Sequence, residues 1–230
     1  MPSHRTIRMA YHLVDERNWA SIQAHGLLST KRLAAASGYD LRQLRLHRPK
    51  GLTLPSGVRI RDQSPMSPAV LGKFLQDGLS PEDWYDLLNS KVFFWLDPDR
   101  LNRQRRECGE APQRVLVIDA ARMLQKHGSR AAVSPINTGN AMRAAAPRGL
   151  STFVPWVRWT SDGWEFEKVG RTASRPANHR PVELSIEDAV EDIMDHVIKV
   201  IPLGACQTLG ADNRAVDCHQ RREIDQKPLV

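Results

Sequence analysis

The side chains able to do chemistry stand in a few short stretches. His12 lies near the end of an alternating run, Ile7 to Leu13. A lone histidine there is either a hydrogen-bonded structural residue or a ligand contact, and the structural role is the commoner. Arg61 closes VRIR at a strand-to-turn junction, where a guanidinium can reach into a cleft and grip phosphate through two bonds. Asn137, Thr138, Gly139 and Asn140 form a polar turn suited to binding a ligand or simply to closing a loop. Glu183 and Glu187 occupy the polar side of PVELSIED, where a carboxylate faces either a cleft or solvent. Cys108, Cys206 and Cys218 are too far apart for a zinc pair, and Cys218-His219 has no partner at ligand spacing. No metal is expected.

The elements that must position these groups are legible from periodicity. Ile7, Met9, Tyr11 and Leu13 alternate with Arg8, Ala10 and His12, which predicts a strand with His12 on its less buried face. Asp15 reads as the N-cap of a following helix that stops at Gly26. Ser80-Pro81-Glu82-Asp83 combines an N-cap, a proline at the first helical position and an acidic third residue. Val92 to Leu96 and Val115 to Ile118 predict strands, and Ala131 to Ser134 a further edge strand. Gly149 to Trp159 reads as an irregular strand region with Trp156 and Trp159 partly exposed, and Ser161 to Arg180 as a surface hairpin or loop. Val182, Leu184 and Ile186 point one way and Glu183, Ser185 and Glu187 the other. His196 to Leu203 predicts a last strand. Residues 1–203 are expected to form one domain and 204–230 a frayed or disordered tail. Helices gathered in the first half, among mixed strands, predict an α+β fold.

Composition narrows the partners. The 230 residues carry 33 Lys+Arg against 26 Asp+Glu, a net charge of +7. That balance favours nucleic acid or phosphorylated ligands, or reflects an arginine-rich genome. The basic segments Arg42 to Lys50 and Arg100 to Arg106 read as solvated faces or as phosphate contacts. No apolar run reaches membrane-span length, and a cytoplasmic protein is expected. There is no GxGxxG after a strand, no GxxxxGK[ST], no GxSxG and no HExxH, so the sequence supports none of those chemistries.

The order YH…N…GLLS, an arginine in a polar turn, an aromatic strand ending in proline, a GNA loop and a late Glu-bearing strand resembles DarT-type DNA ADP-ribosyltransferases. It is similar to an uncharacterised bacterial family of the same fold, over roughly Ile7 to Leu203. The resemblance implies two packed, mainly antiparallel sheets around an NAD cleft, with flanking helices. It implies NAD as co-substrate and DNA or RNA as acceptor, in a toxin or phage-defence effector with an antitoxin or partner protein. Glu183 and Arg61 match the catalytic positions. His12, Asn18, Trp95 and Asn140 match NAD-binding ones: His12 on the nicotinamide ribose, Asn18 on the next helix, Trp95 where an aromatic packs on nicotinamide, Asn140 in Gly139-Asn140-Ala141. Trp95 stands where tyrosine is common, and Glu187 is a rival carboxylate. A carboxylate beside the ribose would stabilise the oxocarbenium-like charge formed as the nicotinamide bond breaks.

Two further readings stay open. One is a non-catalytic member of the fold that binds a nucleotide or a partner protein. The other is an enzyme acting on RNA 2′-phosphate. The discriminating geometry is whether His12 and Glu183 face one pocket. Opposite faces would defeat the enzymatic reading.

Overall fold

The long apolar strands pair into one antiparallel sheet, because their hydrogen bonds and side chains are satisfied only side by side. The computed structural model describes residues 5–142, 146–170 and 173–217. The sheet strands are β1 (Met9–Asp15), β2 (Lys91–Trp95), β3 (Gln113–Asp119), β4 (Ala131–Ser134), β5 (Val154–Pro155), β6 (Glu183–Glu187) and β7 (Val197–Leu203). They run in the order β7-β3-β1-β2-β6-β4-β5. The helices used below are α1 (Trp19–His25), α2 (Thr30–Ala36), α3 (Pro81–Asn89), α4 (Pro98–Glu107), α5 (Ala120–His127), α6 (Trp156–Asp162) and α7 (Ile193–His196). The architecture is α+β, with a large antiparallel sheet and small two-stranded sheets.

In place of two separate packed sheets there is one seven-stranded sheet with a weak middle. β1 pairs with β3 along its whole length but with β2 only at Tyr11↔Trp95. The cause is local. In a continued ladder Leu13 would face Phe93. Instead the His12 ring reaches across and its Nδ1 takes the Phe93 carbonyl at 2.8 Å.

Partners directly opposite in an antiparallel pair share a face. One face carries Ala10, Val14, Phe94, Leu116, Ile118, Leu184 and Ile186, and packs on α1, α5 and α6 as the main core. The other face carries two smaller cores. Tyr11, Val115, Val117 and Trp95 pack under Leu101 of α4, and Phe93 and Ala132 pack under Trp84 and Tyr85 of α3. Burying such side chains contributes about 1.5–3 kcal/mol each.

Several expectations need correction. His12 does not lie on a less buried face: Ala10 and Val14 beside it are buried, because β1 is a central strand covered on both sides. Glu183 and Ser185 are buried for the same reason. Ala131–Ser134 is internal, with β5 outside it. Residues Trp156 to Trp159 are helical, since that spacing puts Trp159 into the main core and stacks Trp156 on it with centroids 5.5 Å apart. The Ser161 to Arg180 stretch buries Trp164 and Glu167, the latter paired with Arg175, so it is more than a surface loop. The segment after Gly204 is not frayed. Gln207–Leu209 and Ala215–Asp217 pair as a hairpin, and buried Asn102 of α4 exchanges two 2.8 Å bonds with the Leu209 backbone. The rest of the expected tail, 218–230, lies outside the described residues.

Asp15 accepts from the Arg17 amide but caps a 3-10 turn, Glu16–Asn18, that leads into α1, whose own N-cap Asn18 makes no side-chain capping bond; Gly26 ends α1 at φ 75° as expected. Ser80 and Asp83 close a reciprocal capping box ahead of α3.

Candidate functional site

Glu183 begins β6 opposite Trp95 on one side and Ser134 on the other. All three side chains therefore share a face, the one bearing the two smaller cores. Trp95 belongs to the α4 core and its strand neighbour Phe93 to the α3 core, so Glu183 lies beside the boundary between them on that face. The Trp95 indole donates to Gln104 Oε1 at 2.7 Å, which fixes the ring beneath α4.

The Asn137 to Asn140 turn covers Glu183. Thr138 donates both its amide (3.1 Å) and its hydroxyl (2.7 Å) to Oε2. Among the described residues no donor reaches Oε1. Glu183 is 5% exposed, and burial pushes its carboxyl up to about 7. The Thr138 bonds and the positive charges of Arg100 and Arg148 pull the other way without winning. Burial of a carboxyl with its pKa pushed toward neutrality makes Glu183 a candidate acid-base or binding group.

Arg148 and Arg100 were not singled out in the sequence, apart from Arg100 as the start of a basic run. Arg148 is 1% exposed and donates to the carbonyls of Ala146, Thr138 and Asn140. No sequence motif marks Arg148, which stands at the end of a turn-rich stretch. Arg100 lies in the first turn of α4, 3.9 Å from Asp97.

The other expected site residues go elsewhere. His12 is one residue along from Tyr11, and Tyr11 shares the Trp95 and Glu183 face, so His12 takes the opposite face. Its ring lies at the seam, 5.7 Å from the Phe94 centroid. Because a carbonyl only accepts, Nδ1 carries the proton and Nε2 is the bare acceptor. Burial pushes the His12 pKa down, against the pull of the Phe93 carbonyl, so the ring stays neutral. Asn18 spends its amide on the backbone of Arg59, donating to its carbonyl and accepting from its N–H, both at 2.8 Å. It holds the strand that leads to Arg61. Arg61 stands by the other end of α4, 3.9 Å from Glu107, and makes no ion pair with Glu183 among the described residues. Asn140 caps its own turn by accepting from the Met142 amide. Glu187 pairs with Lys91 at the far end of β6.

Much of the basic surface is already neutralised. Arg42 pairs with Asp40 and Arg45 with Asp83, and Arg105 is buried. Arg103 and Arg106 remain exposed on α4. A groove of about 700 Å³ runs between α1 and α2, lined by Ala24, His25, Leu33 and Val58, and none of the expected site residues lines it.

One side-chain cluster has the composition of a metal site. His127, Asp192 and His196 bring their ligand atoms within 4.8 Å of one another. The proton bookkeeping argues against an ion there. Arg130 donates to His127 Nδ1 at 3.0 Å, so Nε2 carries the proton and donates to Asp192 at 2.7 Å. A metal on Nε2 would put that proton on Nδ1, facing another donor. Lys126 also holds Asp192, at 2.5 Å. The cluster is a charge and proton network that ties α5 to α7.

The fold and site define a mixed α+β chain with a buried carboxylate on one face of its sheet. The chain belongs to DUF7002, a family of unknown function whose model matches residues 8–197. No curated protein matches it.

Proposed function

We propose that this chain binds a nucleotide on the Trp95 face, with NAD as the ligand, as a member of the ADP-ribosyltransferase-like fold class. The observation that carries the reading is the pairing of Trp95 with Glu183 beside the boundary between the α3 and α4 cores. The indole supplies a face for a nicotinamide or purine ring. Glu183 Oε1 accepts a ribose hydroxyl when ionised, and Arg100 supplies a guanidinium for the diphosphate. His12 is not part of this site. The opposite placement of His12 and Glu183 is the geometry that counts against transfer with His12 on the ribose, so binding comes ahead of catalysis.

The opposite faces of His12 and Glu183 defeat transfer in the form the resemblance implies, so a second reading, ADP-ribosyl transfer, is carried only in a form without His12, by the buried Glu183 carboxyl registered against Trp95. In that reaction the ribose–nicotinamide bond breaks with its electron pair leaving on nicotinamide. The acceptor's nucleophilic atom bonds to the same ribose carbon, and its proton passes to Glu183. A nucleic-acid acceptor fits the net positive charge.

Calorimetry with NAD tests the first reading. Binding lost in Trp95→Ala and retained in Glu187→Gln supports it, and no NAD binding by the wild type rejects it. Labelled NAD with DNA, RNA and protein acceptors tests the second. Transfer that collapses by ~10²–10⁴-fold in Glu183→Gln supports it, and binding without transfer leaves the binding reading alone.

A further inference from the structure

We propose that Arg148 is the positioning residue for Glu183: by holding the carbonyls of the covering turn it makes Thr138 occupy Oε2 and leaves Oε1 for a ligand hydroxyl. The proposal rests on the Trp95 and Glu183 face being the ligand site.

Arg148 is buried where a bulky cation has no solvent to return to. Its Nη1 holds the Thr138 carbonyl at 3.3 Å, its Nη2 the Asn140 carbonyl at 3.0 Å and its Nε the Ala146 carbonyl at 3.2 Å. A planar guanidinium can brace three carbonyls at once, and a lysine ammonium on a flexible stem cannot reproduce that fork. The main chain of Arg148 is itself fixed: its N–H donates to Phe74 and its carbonyl accepts from Gln76. The Trp84 indole donates to the same Thr138 carbonyl at 3.4 Å, and the guanidinium lies 6.0 Å from that ring. Thr138 is thus clamped from behind through its carbonyl, while its N–H and O–H face Glu183. The groups bearing on the carboxyl are Thr138, Arg148 beside the turn and Arg100 from α4. Arg148 makes no hydrogen bond to Glu183 itself among the described residues, so its hold is exerted through Thr138.

The test is titration of Glu183 by carbon NMR in ligand-free protein labelled at glutamate carboxyls, with Glu183→Gln to assign the resonance. Arg148→Lys keeps the charge and loses the brace. It should move the Glu183 titration upward by about half a unit or more, because Thr138 no longer stabilises the ionised form. An unmoved titration in Arg148→Lys would mean that only the charge matters, and would overturn the proposal. Thr138→Val removes the hydroxyl without touching the buried arginine, so it tests the same link if Arg148→Lys does not fold. It too should shift the titration upward, and no shift overturns the proposal. The double variant should shift no further than the larger single one. Additive shifts would show that Arg148 acts independently of Thr138. Failure of NAD to bind the wild type would reject the ligand assignment while leaving these titrations readable.

Discussion

Tyr11 and Trp95 are the single registered pair between β1 and β2, and that pair decides which residues can share a site. It places Trp95 and Glu183 on the Tyr11 side of the sheet and sends His12 to the other. The first consequence concerns ligand binding. His12→Ala should change NAD affinity by less than about threefold, under ~1 kcal/mol. Trp95→Ala should weaken it by ~1–3 kcal/mol. Calorimetry on the two variants decides, and the reverse ranking would return the site to the seam.

Glu183 makes stability depend on pH. Its folded pKa, about 7, lies above the ordinary value of 4.5, so the folded state binds the proton more tightly. The stability this contributes is present below about 4.5 and is lost as pH rises through about 7. Glu183→Gln removes that dependence. Denaturant titrations from pH 4 to pH 8 should show the variant gaining on the wild type as pH rises. A constant difference would mean that Glu183 ionises normally.

Asp192 works in the opposite direction. Its carboxyl is partly buried, but the bonds from Lys126 and His127 outweigh that desolvation and hold it well below the ordinary 3.8. The stability from a depressed carboxylate is present above the unfolded value and lost as pH falls below it. Asp192→Asn should therefore be destabilised at neutral pH and should lose less than the wild type below pH 4. Thermal melts across that range measure it.

Asn18 and Asn102 are expected to be structural anchors. Each satisfies both backbone groups of a distant residue, Arg59 and Leu209 respectively. Replacing either with alanine removes both of these backbone bonds and should cost ~1–3 kcal/mol in chemical denaturation. Asn18→Ala should leave NAD affinity unchanged after correction for the folded fraction. A selective loss of NAD binding would make Asn18 a ligand residue after all.

Local signals were the readable part of this sequence. Asp15, Gly26 and the Ser80 to Asp83 box act within a few residues of themselves, and the central strands announce themselves by apolar runs. What could not be read was which face each strand turns to a second layer. Alternation in PVELSIED marks Glu183 as polar-side, yet α3, α4 and the Thr138 turn cover that side and bury it. The hairpin after Gly204 was hidden because its anchor, Asn102, lies more than a hundred residues away. The short segment after Gly149 fits two periods, and the core selects the helical one for Trp156 and Trp159. Arg148 carries no motif, since its role is to hold main-chain carbonyls.

The one-pair seam bears on how the chain comes apart. β7, β3 and β1 form one unit and β2, β6, β4 and β5 another, and helices rather than a ladder supply most of what joins them. One main core spans both groups, so the seam is the expected line of a partial opening short of global unfolding. Amides of Val115 to Ile118 and of Leu184 to Ile186 should exchange through separate openings, with different sensitivities to denaturant.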